Sequence, residues 1–212
     1  RRDQITDIPP HYWLKEDYYD ADFRAPDKTY SKRGAFLSPV EFQPLDFGIP
    51  PALMSSTDTC QLLALIVAQQ VLQDATDGQF SEIEKSRTSV ILGVAAGLEL
   101  LGEMASRLQR PVWVKALRES GIAEDRVGEI CDRIADQYVD WKESTFPGLL
   151  GNVVAGRIAN RFDLGGTNCT TDAACASSFS SLSMAANELY LGHSDLVITG
   201  GVDTTNDPFI YM

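Results

Sequence analysis

The chain has 212 residues, 44% of them hydrophobic and 23% charged, enough to bury a sizeable core and too apolar for a disordered polymer. Eighteen basic against thirty acidic residues leave a net charge of −12, which works against nucleic acid and anionic lipid as partners. No apolar run approaches the roughly 20 residues of a spanning helix, and Arg1, Arg2, Asp3 and Gln4 begin no signal-peptide pattern, so the expectation is no membrane association and a cytoplasmic location.

Seven of the ten prolines fall between Pro9 and Pro51, interleaved with Tyr12, Trp13, Tyr18, Tyr19, Phe23 and Tyr30, so residues 1–56 read as loop-rich chain pinned by aromatic rings. Residues 57–212 read as an α/β core. Asp58 and Gln61 are spaced as a capping pair before a helix with Leu62, Leu65, Ile66 and Leu72 on one stripe, stopped by Gly78. Thr88 to Val94, bounded by Gly93 and Gly97, suits a buried strand. Leu98, Leu101, Met104, Ala105 and Leu108 return to helical spacing. Pro111 opens a short helix ending near Gly121, and Val127, Ile130, Cys131, Ile134, Tyr138 and Trp141 mark a longer amphipathic one. Gly151 to Phe162 predicts a helix whose small face, Gly151, Ala155, Gly156 and Ala159, admits a very close neighbour.

Asn168 to Ala174 predicts a strand, Cys175 to Leu191 a helix with Phe179, Leu182, Ala186 and Leu189 on one side and Gly192 as its stop, and Asp195 to Gly201 a second strand. Strand, sharp turn, helix and strand in this order make a βαβ unit and a parallel sheet layered with helices. Residues 144–212 hold only eight of the 48 charged side chains and read as the buried part of the molecule.

Four cysteines without Cys-x-x-Cys spacing and two histidines, His11 and His193, give no basis for a disulfide scaffold or a metal site. Glycine-rich dinucleotide and phosphate-binding loops, His-Glu-x-x-His and Gly-x-Ser-x-Gly are all missing from the sequence. Cys175, within Asp172-Ala173-Ala174-Cys175-Ala176-Ser177-Ser178, lies at the strand-to-helix switch. Unpaired amides and the positive dipole end favour a thiolate there, the flanking alanines leave room for a substrate, and Ser177 and Ser178 are placed to satisfy first-turn donors. From the residues alone an activated nucleophile and a small buried cysteine at a tight turn both stand. Cys60, Cys131 and Cys169 lie within apolar faces or strands and read as structural.

The segment Asp172 to Ser178 resembles the Asp-Thr-Ala-Cys-Ser-Ser-Ser signature of the β-ketoacyl synthases, the condensing enzymes of fatty acid and polyketide synthesis. Gly151-Asn152 with Ala155-Gly156-Arg157-Ile158 resembles the preceding helix of that family, and Asp195 to Gly201 the following strand. Ile5 to Pro10, Tyr18-Tyr19-Asp20 and Phe47-Gly48-Ile49-Pro50-Pro51 extend the resemblance over nearly the whole chain. Phe47 to Pro51 with Thr57-Asp58, Phe146-Pro147-Gly148, Asn160 to Cys169 and the long segment from Gly97 to Phe146 look most like ketosynthases of polyunsaturated fatty acid synthases and related iterative synthases.

The resemblance implies a thiolase-like layered α-β-α fold, of which this would be the N-terminal half. It also implies a decarboxylative Claisen condensation without cofactor or metal. Cys175 would take an acyl group from the phosphopantetheine thioester of an acyl carrier protein, and its amide would serve the oxyanion hole. Asp172 would anchor the turn rather than act as a base. The family's two histidines, lysine and glycine-rich second oxyanion donor have no counterpart up to Met212, and its opening strand has none before Arg1. The expectation is therefore a fragment that needs the remaining half of the domain and is homodimeric through the strand at Asn168 to Ala174. His193 reads as a surface loop residue.

Arg107, Arg110, Lys115 and Arg118 are the best candidate carrier-docking cluster, set against a plain solvated helix face. Asn168-Cys169-Thr170 matches a glycosylation sequon, discounted because a buried strand is expected there. A non-catalytic scaffold or chain-length partner of the same fold stands as the alternative, with a thiolase-type degradative enzyme third.

Overall fold

A computed structural model describes residues 3–95 and 99–212, which fall into two compact units. The expectations involving Arg1, Arg2, Gly97 and Leu98 lie outside the described residues.

One unit holds the chain up to Phe42 together with Thr205–Met212. Its frame is a two-stranded antiparallel ribbon, β1 (Ile5–Asp7) against β2 (Arg33–Ala35), with a single helical turn, α1 (Lys15–Tyr18), between them. Prolines deny this stretch long helices and ladders, so aromatic packing supplies the core. Trp13 is buried edge-on to Tyr18 and Tyr211, at centroid separations of 5.9 and 5.4 Å. Thr29, also buried, donates to the Tyr211 carbonyl at 2.6 Å and so ties the chain's last turn, Pro208–Tyr211, into the unit. Phe23 and Tyr30 are exposed rather than part of this core.

The other unit, Gln43–Thr204, contains a parallel three-stranded sheet. Two 3-10 turns, Pro44–Phe47 and Pro51–Ser56, flank Gly48, whose φ of +69° lets the chain reverse. Helix α2 (Thr59–Ala75) follows. Asp58 caps it as expected, accepting from the Cys60 N–H at 2.9 Å. Gln61 does not complete the capping pair. It is fully buried and turns away from the cap, donating to the carbonyls of Pro147, Gly148 and Leu150 and accepting from Arg157.

Strand β3 (Thr88–Gly93) is buried at every position, as its β-branched run predicts. In α3 (Glu99–Arg107) the buried positions are Leu100 and Met104, while Leu101, Ala105 and Leu108 face solvent, so the expected stripe is out of phase. The Leu100 N–H donates to Asp58 Oδ2 at 2.9 Å, which sets the rotation of the helix. Helix α4 (Arg110–Glu119) ends before Gly121, whose φ is +76°. Helix α5 (Glu124–Ala135) buries Val127 and Cys131 but stops before Tyr138 and Trp141. The Arg107 guanidinium captures the Ala135 and Tyr138 carbonyls there, leaving the Tyr138 ring stacked on Trp113.

A short turn, α6 (Thr145–Gly148), leads into α7 (Asn152–Phe162). Val154, Ala155, Ile158 and Ala159 of α7 are buried, and the helix packs on α2, β3 and β4 (Asn168–Thr171). The closest approach falls outside the small face expected there: a Cβ on Gly151 or Gly156 would make ordinary contacts, whereas one on Gly148 would collide with the Ser56 carbonyl.

Helix α8 (Ser177–Tyr190) and strand β5 (Leu196–Gly201) complete the βαβ unit. β3 is the central strand, pairing in parallel with β4 from Val90↔Asn168 to Gly93↔Thr171 and with β5 from Thr88↔Leu196 to Gly93↔Gly201. Among the described residues no helix is long and apolar enough to cross a membrane.

The charge-poor C-terminal third is not the buried part. In α8 the sheet-facing residues are Ser177, Ser181 and Ala185, while Phe179, Leu182, Ala186 and Leu189 face outward, continued by Tyr190 and Leu191. The cause is the strand ends beneath the helix. A Cβ on Gly93 would lie 2.6 Å from the Ser177 carbonyl carbon, and one on Gly201 would lie 2.6 Å from Ser178 Oγ. Only small residues seat a helix that close, so the bulky ones point away.

Candidate active site

β4 ends earlier than its sequence suggests because the chain turns at Asp172. The Asp172 carboxylate accepts from the Ala174 N–H at 2.9 Å, the role of turn anchor expected for it. Ala174 adopts φ +49°, a left-handed conformation that costs a residue with a Cβ about 1 kcal/mol or more and that the surrounding turn must hold in place. The next residues form a single 3-10 turn, Ala174–Ala176, which runs directly into α8, so Cys175 precedes the α-helix proper by two residues.

Ser177 locks this elbow from behind. Its hydroxyl accepts from the Ala173 N–H at 2.8 Å and donates to the Ala174 carbonyl at 2.7 Å, so it braces the turn instead of satisfying donors of the helix. Ser178 Oγ lies over Gly201. Ala173, Ala174, Cys175 and Ala176 are all exposed, and the elbow presents the thiol between methyl groups.

The other cysteines contrast with it. Cys60 and Cys131 are buried and Cys169 half-buried, leaving Cys175 alone exposed. Burial pushes the Cys60 thiol up to about 11, with a Thr204 hydroxyl 3.1 Å from the sulfur working in the opposite direction. Burial, with the nearby Glu188 carboxylate, likewise raises Cys169. Both are held as thiols at neutral pH.

His193 is exposed, 4.0 Å from Glu188, and belongs to the surface loop after α8. The four basic residues considered for carrier docking do not form a free patch. Arg107 pairs with Asp140, Arg110 with Asp132, Lys115 with Glu119 and Arg118 with Glu124. Each cation is partly neutralised within its own helical region, which favours the solvated-face reading. Asn168 is exposed rather than buried, though it is held in register against Val90. Among the described residues no group of three or more His, Cys, Asp or Glu side chains could hold a metal ion.

Sequence reasoning missed two features of the site. Gly93 reads only as the end of a strand, yet it receives the backbone of Ser177 and accepts from the Val202 N–H at 3.1 Å. Ser177 reads as a helix-capping residue, and its backward bracing depends on the φ of Ala174, which no composition signal announces.

Residues 1–212 match the family described as "Beta-ketoacyl synthase, N-terminal domain". The chain is 35% identical over 210 residues to one component of the polyunsaturated fatty acid synthase of a Thraustochytrium species, covering 99% of this chain and 7% of that protein. It is 28% identical over 208 residues to a mycocerosic acid synthase-like polyketide synthase of Mycolicibacterium smegmatis, covering 97% of this chain and 8% of that protein. The fold is similar to an oxazolomycin ketosynthase domain of Streptomyces albus, with a TM-score of 0.70 and 25% identity over 99% of this chain and 31% of that one. A bacillaene synthase ketosynthase of Bacillus subtilis aligns with a TM-score of 0.66 and 22% identity, over 98% of this chain and 28% of that one. The chain thus spans less than a tenth of these multidomain relatives and about a third of the solved ketosynthase chains. With its thiolase-like parallel sheet and its Asp172-to-Ser178 elbow, the chain belongs to the β-ketoacyl synthases, to their N-terminal domain.

Proposed function

We propose that Cys175 is the acyl-accepting nucleophile of a decarboxylative condensing enzyme, and that this chain is the nucleophile-bearing portion of its ketosynthase domain. The observation that carries the reading is the placement of the single exposed cysteine on a braced strand-to-helix elbow between two alanines. In the first half-reaction the Cys175 sulfur attacks the carbonyl carbon of a carrier-bound acyl thioester. The phosphopantetheine thiol leaves with the proton, and the Cys175 amide is one donor to the oxygen that becomes negative in between. In the second, malonyl on a carrier loses carbon dioxide, its C2 carbanion attacks the acyl carbonyl, and the Cys175 thiolate departs.

The outward apolar face of α8 supports a partner surface over it, the remaining half of the domain. The free edge of β4, which pairs only with β3 among the described residues, supports a homodimer joined there. The 35% identity to a polyunsaturated fatty acid synthase component supports fatty acyl chains as the substrate class. The alternative, a scaffold or chain-length partner without catalysis, is disfavoured by the accessible thiol at the elbow.

The test is acylation of the full-length protein by a short acyl thioester, followed by peptide mass spectrometry at all four cysteines. Acylation confined to Cys175 and lost in C175A is the expected result. Equal labelling of Cys169, or no labelling at all, overturns the assignment.

A further inference from the structure

The unit Gln43–Thr204 holds eight arginines, and six of them, Arg87, Arg107, Arg110, Arg118, Arg126 and Arg133, sit within 4.0 Å of a carboxylate. Among the described residues Arg157 and Arg161 do not, in a chain with thirty acidic residues. They are the only arginines or lysines after Lys142, and they lie four apart on α7, which brings their stems onto one face. Arg157 is half-buried and uses its Nε on Gln61 Oε1, and burial pulls its pKa down because no anion offsets the lost water. Arg161 donates one terminal nitrogen to the backbone carbonyl of Asp46.

Both arginines line one pocket of about 380 Å³. Its apolar lining includes Phe47, Ile49 and Leu65, all buried, and Val153. The pocket thus pairs two cations lacking a carboxylate with an apolar wall, at a size typical of small-molecule sites. Inorganic phosphate would satisfy the guanidiniums but leave the apolar wall uncovered, so the lining as a whole favours an anion that carries an apolar tail. A carboxylate matches the planar fork of a guanidinium and leaves its tail on the apolar wall.

We propose that this pocket binds a monocarboxylate with a short aliphatic tail, its head held by Arg157 and Arg161 and its tail against Phe47, Ile49 and Leu65. The assignment is independent of the role given to Cys175.

Isothermal titration of octanoate into the full-length protein tests it, with 1-octanol and inorganic phosphate as competitors. R161Q is the informative variant, because Arg161 is exposed and its loss leaves the core intact. Thermal unfolding of R161Q, unchanged from wild type, controls for folding. The expected result is saturable octanoate binding, weakened about tenfold by R161Q and insensitive to phosphate. Absence of saturable binding overturns the proposal, as does binding unchanged in R161Q, which places the ligand elsewhere. Displacement by phosphate at equal concentration, or by octanol as effectively as by octanoate, overturns the assignment to a carboxylate.

Discussion

A methyl group on Gly93 would stand 2.6 Å from the carbonyl carbon of Ser177, closer than any real Cβ contact, so the end of the central strand and the start of α8 leave no room for one. Both neighbours in the collision are backbone, and neither can swing aside. G93A is therefore expected to destabilise the protein by about 2 kcal/mol or more, the scale of overpacking a closed core. It should also displace the elbow, which thiol labelling reads directly: the advantage of Cys175 over Cys169 in rate of alkylation falls. Retention of both stability and selectivity would show that the strand end yields.

The architecture was legible where period and length agree. The buried β-branched run at Thr88–Gly93, the cap at Asp58 and the βαβ order from Asn168 to Gly201 all follow from local pattern. What pattern could not supply was the direction of α8. Its apolar stripe at Phe179, Leu182, Ala186 and Leu189 reads as a core face, but the glycines at 93 and 201 admit only Ser177, Ser181 and Ala185 beneath the helix. Those contacts join Gly93 to Ser177 and Gly201 to Ser178, far apart in sequence and beyond the reach of any helical period. The position of Cys175 at the switch was equally legible, whereas the bracing of the turn depended on one unusual φ at Ala174.

Ser177 contributes two hydrogen bonds to the elbow, one in each direction. S177A is expected to cost about 2 kcal/mol, since it leaves the Ala173 N–H without its acceptor in a half-buried setting. The acylation rate at Cys175 should fall more than the affinity for the acyl donor. Single-turnover acylation with stability measured in parallel checks this, and an S177A protein with wild-type acylation removes Ser177 from the positioning of the turn.

Cys60 gives the protein an alkaline weakness. Its folded-state pKa is raised from 9.0 to about 11, so above pH 9 the unfolded chain loses a proton that the folded chain retains. Stability is fully present below pH 9 and declines as pH rises toward 11, by about 2 kcal/mol from this residue. Denaturant unfolding under reducing conditions at about pH 8 and pH 11 should show a larger loss in wild type than in C60A by about that amount. Equal losses would assign the alkaline sensitivity to other groups.

The outward face of α8 leads to a prediction about assembly. Phe179 is 77% exposed and Tyr190 94%, in a helix whose sheet-facing side is small and polar. F179D leaves every contact of α8 with the sheet in place and adds a charge where a covering surface would have to desolvate it. Sedimentation velocity of the full-length protein should show weakened association or a more open shape. Unchanged sedimentation, with unchanged hydrogen exchange over residues 179–191, would mean that the face is bare in the assembled protein.

Strand β3 is the middle of its sheet yet the first of its three strands to leave the ribosome. Its partner β4 begins about 75 residues later, a delay of roughly 4 to 15 s at ordinary rates of synthesis. Throughout that interval a six-residue segment of threonine, serine, valine, isoleucine, leucine and glycine has neither edge paired. Uncharged and free of proline, it has the composition of a segment that joins like strands from neighbouring nascent chains. On a polysome, the central strand of the sheet is thus also its most exposed point to co-translational aggregation, and chaperone demand during synthesis of this region should peak between the emergence of Gly93 and that of Thr171.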